Sequence, residues 1–212
     1  MAKPGDEVGL PSSRLEAKRA RRIEHLERTA ARIFAQNGYE RTNFDLIAAE
    51  LDLRGPSLYH YFSSKEELFL RCVHKSAAEV FARLRAIAGT DLPPGEKLHA
   101  LFREQALIEV RDYPEFVRLF FNIQVPIAEL SDAVLQARRE HAAIFEDVAE
   151  QIRAQTKARK ADFRIQLGVA YGALAYLSEW YDPHGAIGVE ELADRLAELL
   201  VEPFLVGATP PR

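Results

Sequence analysis

The sequence predicts an all-α protein of about nine helices: a three-helix N-terminal unit of the helix-turn-helix kind, followed by a larger helical domain. Three observations carry this. Apolar residues recur three and four positions apart along almost the whole chain, no segment shows strand alternation between hairpin turns, and no repeat of fixed period interrupts the pattern.

Residues 1–13 hold Pro4, Gly5, Gly9 and Pro11 without helical period, and are expected to form a disordered arm. A basic run follows (Arg14, Lys18, Arg19, Arg21, Arg22), then Ile23, Leu26, Ala30, Ile33 and Phe34 on one stripe, stopped at Asn37-Gly38. The run reads either as a solvated helix start or as a contact to a nucleic-acid backbone.

The stretch from Thr42 to Glu67 organises the chain. Thr42 and Asn43 offer side-chain oxygens to a helix start, and Phe44, Ile47, Ala48 and Leu51 give that short helix a buried face. Asp52 stands where the chain reverses, a position that asks for left-handed backbone. Gly55 and Pro56 then open a second brief helix, with Leu58 and Phe62 inward. The helix-turn-helix therefore spans about residues 43–62. What it leaves outside is Arg54, Gly55, Ser57, Tyr59, His60 and Tyr61, types that reach phosphates and base edges. Ser63-Ser64-Lys65-Glu66-Glu67 supplies two overlapping capping boxes, Ser63 with Glu66 and Ser64 with Glu67, and Lys65 in the first turn of the next helix is a candidate phosphate anchor. Thr42, Asn43, Arg54, Gly55, Ser57, Tyr59, His60, Tyr61 and Lys65 are thus the candidate DNA-binding residues.

That next helix, with Phe69, Val73, Ala77, Val80 and Leu84 on one stripe, runs toward Gly89 and connects a unit over residues 14–88 to a domain over 94–206. Asp91-Leu92-Pro93-Pro94-Gly95 forbids a continuous helix and marks the boundary. Leu98, Leu101, Phe102 and Ile108 define a helix ending before Tyr113-Pro114, after which comes a short apolar segment closed by Val125-Pro126. Ser131 and Asp132 cap a helix with Val134, His141, Ile144, Phe145, Val148 and Ile152 facing in. The last two helices, Asp162 to Tyr181 and Val189 to Phe204, carry two apolar stripes each. A helix apolar on two faces must be buried on two faces, so one set is expected to meet a second copy of the chain across a two-fold axis: Val169, Gly172, Tyr176, Leu192, Leu196, Leu199 and Leu200.

Composition bounds the function. The 212 residues carry a net charge of −4, but residues 1–75 hold 13 Lys+Arg against 11 Asp+Glu, a net of +2, and the remainder 15 against 21, a net of −6. Only one part of the chain suits phosphate. There is neither a membrane-length apolar run nor a leader pattern, and the single Cys72 falls on an apolar stripe; a reducing cytoplasm is expected. The six histidines lack metal-ligand spacing and no Gly-rich phosphate loop is present, so neither enzymatic chemistry, metal nor cofactor is expected.

Residues from about Arg21 to His74 resemble the DNA-binding domain of the TetR family of bacterial transcriptional regulators. The resemblance rests on Ile33-Phe34-Ala35-Gln36-Asn37-Gly38-Tyr39, Ile47-Ala48, Leu58-Tyr59-His60-Tyr61-Phe62 and Ser64-Lys65-Glu66-Glu67-Leu68. It implies a homodimeric repressor on a palindromic operator, with a C-terminal domain that binds a small effector and releases the DNA. Asp52 stands where the family usually has glycine, and Arg54-Gly55-Pro56 replaces a small polar residue, lysine and glycine, so base preference does not carry over. Residues Tyr113 to Gln124 and Trp180 to Asp194 are similar to the family's regulators of fatty-acid and steroid breakdown, which implies an acyl-coenzyme A thioester as effector. Candidate ligand residues are Phe102, Gln105, Phe120, Phe121, Gln124, His141, Phe145, Tyr171 and Trp180, apolar walls with a few polar fixings, and Arg103, Arg118, Arg138 and Arg139 are candidates for the nucleotide phosphates. Two alternatives stay open: an architectural DNA-binding protein with a filled core, and a helical interaction module that has lost DNA binding.

Overall fold

The structure, a computed structural model, describes residues 10–115, 118–156 and 159–206, with no strand among them. It divides into two compact units, residues 1–72 and 73–212, and the division falls inside a helix rather than at Asp91–Gly95. Most of the arm expected over residues 1–13 lies outside the described residues; Leu10 to Ser13 already belong to the first helix.

In the first unit, α1 (Leu10–Asn37) buries Leu26, Ala30, Ile33 and Phe34 on one face. It stops where Gly38 adopts φ +79° and its N–H bonds back to the Phe34 carbonyl at 2.8 Å, the left-handed cap that glycine makes without a Cβ penalty. α2 (Phe44–Ala49) is capped by Asn43, whose side chain accepts from the Leu46 amide at 2.9 Å. Thr42, by contrast, is fully buried, and its hydroxyl donates to the Gly38 carbonyl. Asp52 turns the chain with φ +52°. Glycine would hold that conformation with less strain, and aspartate is among the few other types that tolerate it.

A 3₁₀ helix (Gly55–His60) follows, with Pro56 in its first turn and Leu58 and Phe62 fully buried behind it. Gly55 is buried too, because a Cβ there would fall 1.8 Å from Asp45 Oδ1; the two helices meet backbone to side chain. α3 (Lys65–Ala88) then starts on a cap that departs from the expected pair of boxes. Ser64 Oγ accepts from the Glu67 amide, but the Glu67 carboxylate folds back onto the Ser63 amide and hydroxyl, while Glu66 accepts from the Tyr39 hydroxyl at 2.8 Å. The Ser63–Glu66 box does not form. Phe34 and Tyr39 stack, Phe69 meets both edge to face, and the buried Glu27 carboxylate is held by Arg71 at 2.8 Å, tying α1 to the first turns of α3.

The second unit is a bundle. α4 (Pro94–Leu107) packs along α8 (Val189–Val206) and against α5 (Ala128–Ala154), with α6 (Lys160–Ala175) and the short α7 (Leu177–Trp180) alongside. Two stretches widen to π-helical pitch: Ile108–Asp112, which prolongs α4, and Arg118–Asn122. The six α5 residues expected to face in are all buried. Its start differs: α5 begins at Ala128 after Ile127, so Ser131 and Asp132 lie inside the helix rather than ahead of it. The single helix expected from Asp162 to Tyr181 is broken at Tyr176.

Candidate nucleic-acid interface and effector core

Unit one presents a continuous polar face. Arg54 caps the 3₁₀ helix with extended backbone, Ser57 is half-buried, and Tyr59 and His60 are exposed, with the Tyr59 ring resting 4.7 Å from that of Phe44. Asn43 is exposed beside them. His60 and Tyr61 line a groove with Leu15, Lys18, Arg19, Arg21, Arg22 and His25 of α1. Among the described residues, four cations and no carboxylate line that groove, which is how a surface attracts a phosphate backbone. Three candidates are placed otherwise. Thr42 and Gly55 are buried, and Lys65 is committed to the fold: its ammonium donates to the Tyr39 carbonyl at 3.1 Å and lies 4.2 Å over the Tyr39 ring.

Unit two gathers most of the candidate ligand residues into one cluster. Phe102 and Phe145 stack at 5.6 Å, His141 lies 5.2 Å from Phe145, and Tyr171 meets Phe145 edge-on while its hydroxyl donates to the Ala142 carbonyl. Phe120 is fully buried, and its carbonyl accepts from Arg138. Gln124 is exposed and Trp180 is 58% exposed, so neither joins the cluster. The Phe121 side chain lies outside the described residues.

One member of the cluster was not legible. Glu109 is 1% exposed, and Gln105 donates its amide N–H to Glu109 Oε1 at 2.8 Å. The His141 Nε2 and Gln105 Oε1 are 2.9 Å apart. Burial, against the weaker pull of the Gln105 hydrogen bond, pushes the Glu109 carboxyl up to about 7, and burial pushes His141 down to about 4. Burial and the nearby Glu146 carboxylate also hold the Tyr171 phenol well above its ordinary value. The available signal was spacing: Gln105 and Glu109 are four apart, on one helix face, within an otherwise apolar Leu107-Ile108-Glu109-Val110 run.

The arginines offered for phosphates are mostly engaged. Arg103 binds Glu190 and Asp194, Arg118 lies 3.6 Å from Glu179, and Arg138 is turned to the Phe120 carbonyl. Arg139 is exposed. Arg103 belongs to a lattice in which Arg83 bridges Glu104 and Asp112, and Arg111 bridges Asp112 and Glu190, clamping α3, α4 and α8.

The two apolar stripes of each helix differ in burial, with one exception. On α6, Phe163, Leu167, Ala170 and Leu174 are buried, while Ile165, Val169 and, just past the helix end, Tyr176 are 66%, 65% and 70% exposed. Among the described residues, nothing lies within 4 Å of the position a Cβ would take at Gly168 or Gly172. On α8, Leu199 is 67% exposed and Leu196 and Leu200 are placed between core and solvent, but Leu192 is buried within its own unit and leaves the expected dimer face.

Residues 28–72 match the model of bacterial regulatory proteins of the tetR family, and residues 91–204 match that of the tetracyclin repressor-like C-terminal domain. The HTH-type transcriptional repressor KstR2 of Mycobacterium tuberculosis is 39% identical over 83 residues, 39% of this chain and 41% of the relative. KstR2 of Rhodococcus jostii is 23% identical over 207 residues, covering 91% of this chain and 95% of the relative. The chain thus spans about two fifths of the length of the first curated relatives it matches. Among solved structures, a TetR/AcrR regulator from Thermobifida fusca superposes with TM-score 0.63 at 27% identity, over 85% of this chain and 96% of that one. AibR in complex with isovaleryl coenzyme A and operator DNA superposes with TM-score 0.75 at 22% identity, over 86% and 99%. The two family matches together take in the polar face of unit one and the aromatic bundle of unit two, and the chain belongs to the TetR family of bacterial regulatory proteins.

Proposed function

We propose that this protein is a cytoplasmic, homodimeric transcriptional repressor that binds a palindromic operator and leaves it when a small hydrophobic effector, an acyl-coenzyme A thioester, enters the second unit. The observation that carries the reading is the face of exposed Arg54, Tyr59 and His60 and half-buried Ser57 beside a groove lined by four cations among the described residues. Phosphate contacts from the groove fix position, while the short helix supplies donors to base edges. Two such helices in a dimer suit half-sites about 34–36 Å apart on B-DNA. The effector class is supported by the KstR2 and AibR likenesses and by an aromatic cluster with few polar groups. Release needs only that the thioester bind one conformation better than the other, and α3, which contributes residues to both units, is the continuous element able to pass the change on.

The test is Arg54→Ala with Tyr59→Ala, both on exposed side chains. Operator affinity is expected to fall by at least about a hundredfold, since each half-site loses contacts worth about 1–3 kcal/mol, with thermal stability little changed. Wild-type affinity in the double variant would remove the 3₁₀ helix from the DNA interface.

A further inference from the structure

The polar chain through the aromatic cluster has a direction. Glu109 Oε1 accepts, which fixes the Gln105 amide with its nitrogen toward Glu109 and its oxygen toward His141. The imidazole must then carry its proton on Nε2 to donate to Gln105. Both of these links run from His141 toward Glu109, and the far oxygen, Glu109 Oε2, is buried without a hydrogen-bond partner among the described residues. Ionised, that oxygen calls for a donor; protonated, it calls for an acceptor. A hydroxyl group satisfies either state, because it both donates and accepts. At the His141 end the imidazole lies against Phe145 and Tyr171, and Phe102 stacks on Phe145, so the polar links are continuous with rings that suit an apolar body.

We propose that Glu109 Oε2 is the docking point for a hydroxyl group carried on the apolar acyl part of the effector, with Gln105 and His141 as positioning residues that hold the carboxyl in register. The inference deepens the reading of unit two as the effector domain and rests on it. A buried chain that served packing alone would close on itself, since an open end is destabilising and an apolar side chain would fill the same space without it. A lipophilic ammonium is the less favoured occupant: it would have to shed a strongly held hydration shell to pair with one carboxylate.

Three compounds of one shape separate these outcomes: 2-phenylethanol, ethylbenzene and 2-phenylethylamine, each titrated against the full-length protein by thermal shift, with Glu109→Gln and Glu109→Leu alongside. In the wild type the alcohol is expected to bind about tenfold or more tightly than the hydrocarbon, reflecting an otherwise unpaired buried oxygen. The preference should shrink in Glu109→Gln, whose amide keeps hydrogen-bonding capacity in the same shape, and vanish in Glu109→Leu. Equal binding of alcohol and hydrocarbon to the wild type, binding of none of the three, or an alcohol preference that survives Glu109→Leu overturns the proposal. So does an amine that binds tightest and is the sole compound sensitive to Glu109. The wild-type comparison stands even if a variant fails to fold. A thioester that releases operator DNA while all three small compounds are silent would sink this inference and leave the wider reading intact.

Discussion

Replacing Val169 and Leu199 together by aspartate is expected to give a folded monomer that no longer holds a two-half-site operator. Both side chains are about two-thirds exposed on the isolated chain, at 65% and 67%, and they share their helices with Ile165 and Leu205, also exposed. Large apolar residues left bare at helical spacing on α6 and α8, with Gly168 and Gly172 opening room between them, form the kind of face that pairs with its own copy. A two-fold interface doubles each substitution, so four carboxylates would be buried, each costing several kcal/mol unless paired. Sedimentation equilibrium at micromolar concentration should show one chain where the wild type shows two. The melt should still be cooperative, because neither residue belongs to the intramolecular stripe of Phe163, Leu167, Ala170 and Leu174. A dimer that persists with both aspartates would place the interface on another surface.

The second large effect concerns pH. Glu109, at about 7 folded against 4.5 ordinarily, keeps its proton in the native state where the unfolded chain has lost it, so its contribution makes stability fall as pH rises from 4.5 to 7. His141, at about 4 folded against 6.5 ordinarily, stays neutral where the unfolded chain is protonated, so its contribution makes stability fall as pH drops from 6.5 to 4. Between these limits the two slopes oppose and largely cancel. Glu109→Gln removes one of them. Relative to wild type, the variant should gain about 3 kcal/mol of unfolding free energy between pH 4.5 and 7, since each tenfold difference in proton affinity between the folded and unfolded chain is worth about 1.4 kcal/mol. Urea unfolding across that window, at one fixed protein concentration because dimerisation also contributes, measures the difference directly. Parallel curves for the two proteins would mean that the carboxyl is not held near 7.

The first unit was legible because its determinants are local. Phe44, Ile47 and Ala48, the Asn43 cap, the left-handed Asp52 and the inward Leu58 and Phe62 all follow from neighbours a few positions away, and all appear as read. Its misreadings have long-range causes. Glu66 leaves its expected cap because Tyr39, 27 residues earlier, supplies a better-placed hydroxyl, and the same Tyr39 carbonyl draws Lys65 inward. In the second unit, doubled apolar stripes announce two buried faces on α6 and α8. They do not say where one face ends, which is why Leu192 reads as outward in the sequence and lies inward in the fold. Trp180 stands apart from the cluster because the break at Tyr176 ends the periodicity that aligns it with the helix before. Glu109 escaped because a carboxylate in a helix is ordinarily a surface residue, and the partner that makes its burial tolerable, Gln105, is itself fixed by His141, 36 positions further on.

The central claim is that a hydrophobic thioester and operator DNA compete for one dimeric protein. It is tested most directly by fluorescence anisotropy on a labelled duplex taken from upstream of the protein's own coding region, with a scrambled duplex as control, during titration with isovaleryl-coenzyme A and its longer-chain homologues. The account predicts salt-sensitive binding of two chains to the upstream duplex, at least about a thousandfold tighter than to the scrambled one. It also predicts release at thioester concentrations that raise the melting temperature of the protein without DNA. Equal affinity for both duplexes, or operator binding that no thioester weakens, would contradict it.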